Sequence, residues 1–340
     1  MPTVRRLSFL SALTVAAGIV FHPLGASAGA SGAAADQLAP GDQQFTIDFA
    51  GSARDYLVHV PAAESGRKLP VVLNFHGGGS DAPTQKAYSQ MDATADRHGF
   101  IVVYPQGVPP APGVQSLRTW NAGKCCGPAQ RTDADDVGFT LAVLDDLARR
   151  TPVDRRRVYA TGISNGGMMA YRLAVDASKR VAAVASVAGQ VEVTKFAPSR
   201  PVAVMEFHSV DDPRALYEGG LGPPFPGTGI QNRFDSVQEG IDRWVAYDGC
   251  RRNPKTGPTT HGQPGSADAG ETATRITYAP CKQGTEVVLW KLTGSGHVWP
   301  GTPIDVSVTP RGAVLGESTR LVDANELMWE FFAEHRLPKD

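Results

Sequence analysis

A series of short strand-like runs, each followed by a stretch of helical spacing, constrains this chain more than any other feature. Leu69–Phe75 (LPVVLNF) is nearly unbroken apolar sequence, as a strand buried on both faces would be, and Phe100–Tyr104 repeats the pattern. Arg157–Gly162, Val181–Val187 and Val202–Phe207 read as three more strands. Helical spacing fills 84–98 (stopping at Gly99), Asp135–Arg150, Asn165–Ala177 and Val237–Tyr247. Strands alternating with helices predict an α/β fold: a mostly parallel central sheet with helices on both faces. An early hairpin is expected from Phe45–Ala50 and Tyr56–Pro61 around Gly51-Ser52. Strands Arg275–Tyr278 and Glu286–Leu292 and a closing helix Asn325–His335 follow. Two stretches rich in Pro and Gly, 105–134 and 213–235, read as surface excursions, the second a loop or lid. No internal repeat and no second core are visible, so residues 45–338 are expected to form one domain.

Composition narrows the function. Among 340 residues, 33 Lys+Arg stand against 34 Asp+Glu, a net charge of -1. That balance lacks the electrostatic footprint of a nucleic-acid binder. No apolar run beyond the N-terminus has the length of a membrane span. The N-terminus itself has Arg5-Arg6, an apolar stretch Leu7–Phe21 and the small-x-small site Ala26-Ser27-Ala28. These predict a signal peptide, residues 1–28, cleaved near Ala28, and a secreted protein. Residues 29–44 are small and polar and are expected to be a flexible leader. Export makes the four cysteines readable as disulfides. Four cysteines allow three pairings, and the sequence alone does not choose among them. Adjacent Cys125 and Cys126 could bridge only through a strained ring.

The chemistry centres on Gly162-Ile-Ser164-Asn-Gly166. A strand ends before Ser164 and a helix starts after it, the context of a nucleophile elbow. Such a turn lifts a serine hydroxyl above the sheet at a helix N-terminus, where backbone N–H groups meet developing negative charge. His76-Gly-Gly-Gly79-Ser80 follows directly on the 69–75 strand, and a triple glycine lets main-chain donors approach a substrate. Gly78 and Asn165 are the expected oxyanion donors, with Gly79 a substitute for Gly78. Of 8 histidines, His22 goes with the signal peptide, and His98, His261 and His335 lie on polar stretches expected to be exposed. His59 sits in the hairpin and His76 beside the glycines. His208 precedes Asp211-Asp212-Pro213 and reads as a structural loop residue, which leaves His297, in Gly294–Gly301, as the base. Ser164, an acid near 212 and His297 keep the Ser…Asp…His order of one large fold class. Asp135-Asp136 reads as a helix N-cap in preference to a carboxylate dyad or calcium pair. No HExxH and no His pair at ligand spacing occur, so neither a metal nor a cofactor is expected.

Taken together, HGGGS at 76–80, WNAGKCCG at 120–127, DDVGF at 135–139, GISNGG at 162–167, HSVDDPRALYEGG at 208–220, DGC at 248–250 and GSGHVWPG at 294–301 resemble one group. That group is the secreted polyhydroxybutyrate depolymerases and feruloyl esterases (LpqC-like) of the α/β-hydrolases, and the likeness runs from about residue 45 to the C-terminus. It implies an α/β-hydrolase fold and a serine carboxylesterase acting on hydroxyacyl or hydroxycinnamoyl esters. The family's acid falls on Asp212 and its Tyr-x-Gly-Gly on Tyr217, Gly219 and Gly220. Ser209-Val210 and Arg214-Ala215-Leu216 depart from the family pattern, so the adjoining pocket wall should differ. The resemblance also implies that Trp120 and Trp299 line the acyl site and that Cys250 pairs with Cys281. Family depolymerases often carry a linker and a surface-binding domain after the catalytic one, and their absence here points to soluble esters. An acyltransferase on the same triad, or a binding protein on the same scaffold, are the alternatives.

Overall fold

The computed structural model describes residues 38–62, 66–114, 116–225, 229–306 and 312–339. The expected signal peptide and most of the leader lie outside these residues. In chain order the strands are β1 (Gly41–Phe49), β2 (Ser52–Val60), β3 (Leu69–Phe75), β4 (Ile101–Pro105), β5 (Val153–Ile163) and β6 (Ala183–Val187). They continue as β7 (Ala203–Ser209), β8 (Gly220–Leu221), β9 (Arg233–Phe234), β10 (Lys255–His261), β11 (Thr272–Tyr278) and β12 (Val287–Thr293). The helices are α1 (Ala82–Ser89), α2 (Met91–His98), α3 (Gly127–Arg131), α4 (Asp136–Arg150), α5 (Asn165–Asp176), α6 (Val237–Asp248), α7 (Gly312–Leu315) and α8 (Ala324–Glu334).

Ten strands form one sheet in the order β1-β2-β4-β3-β5-β6-β7-β12-β11-β10. The six from β4 to β12 run parallel, and an antiparallel pair closes each side. Alternate residues of the buried strands serve opposite faces, as the period of two requires. Val71, Leu73 and Phe75 pack with α4, α5 and α6 through Phe139, Met169 and Trp244. Val72 packs on the other face with α1, α2 and α8 through Ala82, Met91 and Phe332. Residues 35–340 form one compact unit.

Four expectations differ from this fold in instructive ways. The single helix over 84–98 is two, broken where Gln90 takes a left-handed conformation (φ 53°, ψ 27°). Residues 41–44, expected in the leader, belong to β1, which begins at Gly41 and pairs with β2 as far as Val60. Within 105–134 the chain forms the short helix α3, capped into its first turn by Pro128. The edge strand β10 (KTGPTTH) has no apolar run to announce it, since nearly all of it faces solvent. Cys250, just beyond α6, is bonded to Cys281, which precedes β12, and Cys125 is bonded to Cys126.

Candidate active site

Parallel strands deliver their C-terminal ends to one side of the sheet, and the chemistry-bearing residues collect there. Ser164 follows β5 and caps α5, with φ 59° and ψ -126°. Its N–H donates to Val187 O at 2.8 Å and its carbonyl accepts from Met168 N–H at 2.9 Å, so both neighbouring elements hold the turn. Gly162 and Gly166 make it possible. A Cβ on Gly166 would collide with the carbonyls of Phe75 and His76, and one on Gly162 would lie 2.5 Å from Phe75 O.

The glycine turn after β3 lies directly against this elbow. A Cβ on Gly77 would be 3.6 Å from Ser164 Cβ, and one on Gly78 3.4 Å from Asn165 Cβ. Gly79 donates its N–H to Arg118 O at 2.7 Å, so the substitute donor is already engaged and Gly78 is the amide left beside Asn165. His76 is fully buried: Gly107 N–H donates to its Nε2 at 3.0 Å, and its Nδ1 faces Gly77 O at 2.8 Å. Those partners fit a neutral ring, and burial pushes its pKa down to about 4. It is a structural tie and has no nitrogen left for a substrate.

After β7 and β12 come the candidate acid and base. His297 Nδ1 lies 2.7 Å from Asp212 Oδ2, and both residues are buried. Asp212 Oδ1 accepts the N–H groups of Arg214 (2.7 Å) and Ala215 (2.9 Å). Burial works to raise the Asp212 pKa, but the charge and hydrogen bond of His297 outweigh it and hold the carboxyl below its usual range. Asp211 is exposed and accepts Gly294 N–H instead, so the carboxylate that meets His297 is that of Asp212. Among the described residues, Ser164 Oγ and His297 Nε2 make no hydrogen bond to each other. Such contacts often tighten only when substrate binds.

Trp120 and Trp299 are placed otherwise than expected. Both indoles are fully buried, their N–H groups held by His76 O and Asn325 Oδ1 at 3.0 Å each, so neither offers a face to an acyl group. Trp120 instead anchors a wall of the site, because the Asn165 side chain bonds both its N–H (2.7 Å) and its carbonyl (3.0 Å). Cys125 packs on Met168 in the first turns of α5, behind the same wall. Another aromatic ring, that of Phe225 from the 213–235 excursion, lies against Gly79 of the glycine turn. Its Cζ lies 2.8 Å from a Cβ built on Gly79.

His208 was read as a loop residue, but it is fully buried and faces Glu206, Ala215 and Asp212. The signal was in the sequence: Glu206 is a charge inside an apolar strand, and residues two apart share a strand face. His335, expected to be exposed, is buried at the end of α8 with Nε2 3.6 Å from Glu286 Oε1. Asp135 caps α4 through Gly138 N–H, while Asp136 is buried against Arg54 at 2.8 Å. Among the described residues, Asp42, His59 and Asp92 come close enough to hold a cation, but Lys86 Nζ already bonds both carboxylates there. No helix among the described residues is long and apolar enough to cross a membrane.

Known proteins resemble this chain in sequence and fold. Residues 54–238 match the family model described as esterase PHB depolymerase. NocK of Nocardia uniformis subsp. tsuyamanensis, named as an esterase, is 31% identical over 84% of this chain and 80% of its own length. Feruloyl esterase B of Piromyces equi is 30% identical over 72% of this chain, which spans only 42% of that protein. Feruloyl esterase D of Neurospora crassa is 28% identical over 81% of this chain and 84% of its own. In fold, an acylaminoacyl peptidase of Pyrococcus horikoshii superposes with a TM-score of 0.53 at 15% identity, covering 88% of this chain and 42% of that one. The chain belongs to the esterase PHB depolymerase family and is a carboxylic-ester hydrolase with the α/β-hydrolase fold.

Proposed function

We propose that the protein is a secreted serine esterase that cleaves hydroxycinnamoyl (feruloyl-type) esters through an acyl-enzyme, with Ser164, His297 and Asp212 as its triad. The observation that carries the triad is the His297–Asp212 contact of 2.7 Å, across the C-terminal end of the sheet from the strained Ser164 turn. Asp212 accepts from Nδ1–H of His297 and thereby leaves Nε2 as the basic nitrogen. His297 Nε2 takes the hydroxyl proton as Ser164 Oγ attacks the ester carbonyl. The same proton then goes to the leaving alkoxide as the C–O bond breaks. Gly78 and Asn165 N–H groups receive the negative charge on the carbonyl oxygen. Water, deprotonated by His297, attacks the acyl-enzyme; the acyl–Oγ bond breaks, His297 returns the proton to Ser164 Oγ, and the acid is released. Secretion rests on the N-terminal sequence, which has the basic, apolar and small-residue order of an export signal.

Phe225 against the glycine turn supports an aromatic acyl group, as do the relatives named feruloyl esterases. The family description favours a second reading, short 3-hydroxybutyrate oligomers. Initial rates on ethyl ferulate and on a soluble 3-hydroxybutyrate trimer, with Ser164→Ala alongside, decide between them. Faster turnover of ferulate is expected. Preference for the trimer overturns the acyl assignment, and equal turnover by Ser164→Ala overturns the triad.

A further inference from the structure

Behind the acid lies a second buried pair that the triad mechanism does not use. His208 stands at the end of β7 with both ring nitrogens against oxygen: Nδ1 is 2.8 Å from Glu206 Oε1 and Nε2 is 2.7 Å from Ala215 O. A carbonyl can only accept. Glu206 is itself surrounded by donors, taking the Tyr171 hydroxyl on Oε2 at 3.0 Å and Gly189 N–H on Oε1 at 3.4 Å. Burial pushes the Glu206 carboxyl up, while hydrogen bonds with His208, Ser186 and Tyr171 favour the carboxylate. Against an ionised Glu206, a neutral imidazole has one N–H and would turn a lone pair on one of its two oxygens. The doubly protonated ring satisfies both.

We propose that His208 is a fixed cation and a positioning residue of the active centre: an imidazolium anchored by Glu206 that keeps Asp212 ionised and opposes a second positive charge on His297. The inference rests on the triad reading above. His208 Nε2 lies 3.5 Å from Asp212 Oδ2, the same oxygen that His297 engages, and neither side chain has any solvent exposure. Its N–H is committed to Ala215 O, so it acts on Asp212 through space, where a dry environment makes charge count. The charged and titratable groups around it are Glu206 on its own strand, Asp212 and His297 beyond the turn, and Tyr171 from α5. Tyr217 packs edge-on at 5.9 Å between ring centroids, and Lys291, the register partner of His208 on β12, has its Nζ 5.4 Å from the Tyr217 ring. Glu206 cancels much of the charge at a distance, so the field is felt mainly by the adjacent acid and base. Its effect is to keep the base neutral, and the esterase working, further into the acid range.

The test compares pH profiles of kcat/KM for the wild type and His208→Gln, which retains a donor for Ala215 O and loses the charge. The acid limb of the variant is expected to move up by about one pH unit, with kcat lowered and KM little changed. A folded variant whose acid limb does not move overturns the proposal, because a purely structural histidine would lower stability without shifting the titration. Should the variant not fold, nitrogen NMR of the wild type with labelled histidine answers the same question. One buried ring must keep both nitrogens protonated above the pH at which a free imidazole loses its proton, and a single proton on that ring overturns the proposal. Failure of the triad reading has a different signature, retained turnover in Ser164→Ala, and would take this proposal with it.

Discussion

Ser164 holds a backbone conformation that costs an L-residue about 1–3 kcal/mol, and the two flanking glycines are what let the surrounding chain close on it. Ser164→Ala keeps the same backbone and loses only the hydroxyl. Its melting temperature should stay within about 2 °C of wild type, while kcat on any ester substrate falls by about 10^4–10^6-fold. Gly166→Ala should do the reverse damage. Its methyl would meet two carbonyls that belong to β3 and the glycine turn, so a denaturant titration should read a loss of more than about 2 kcal/mol. The nucleophile and base candidates were legible because elbow and loop each have a local signature. The Glu206 charge inside an apolar strand was visible in the sequence, but its pairing with His208 follows only once β7 is known to be covered on both faces.

At the scale of elements, the hydrophobic period predicts the parallel strands and most helices within a few residues. It misses features decided by single conformations or by solvent. Gln90 breaks one apparent helix into two by turning left-handed, a choice that leaves the apolar spacing on either side intact. Strand β10 exists because β11 offers it a partner, and its own residues bury almost nothing. The hairpin is fastened to α2 by His59, with Nδ1 2.7 Å from Asp42 and Nε2 3.0 Å from Asp96. Burial would lower its pKa, yet the two carboxylate hydrogen bonds outweigh it and the net shift is upward. A raised folded pKa means that the stabilisation is complete below the unfolded value and is lost as pH rises through the folded one. His59→Gln should therefore lower the melting temperature more at pH 5.5 than at pH 9, and an equal loss at both would refute the clasp.

Over the whole molecule, the bridge from Cys250 to Cys281 closes a loop with a sequence separation of 31, containing the outer strand β10 and all of β11. Chain-entropy reasoning values such a closure at about 3–4 kcal/mol. Replacing both cysteines with alanine should lower the denaturation midpoint accordingly, with kcat/KM on a soluble ester nearly unchanged below the transition. The alternation of strands and helices makes a mostly parallel sheet legible but not the order of its strands, and 105–134 reads from sequence only as a surface excursion. In the folded protein it is wired to the reaction centre at four points: Gly107 to His76, Arg118 to Gly79, and Trp120 to both His76 and Asn165. An excursion of that kind normally tolerates cutting or insertion. Here it does not stand apart from catalysis, so turnover becomes a gauge of its integrity. A protease nick between Gly107 and Trp120 would silence the enzyme before the sheet beneath it began to melt.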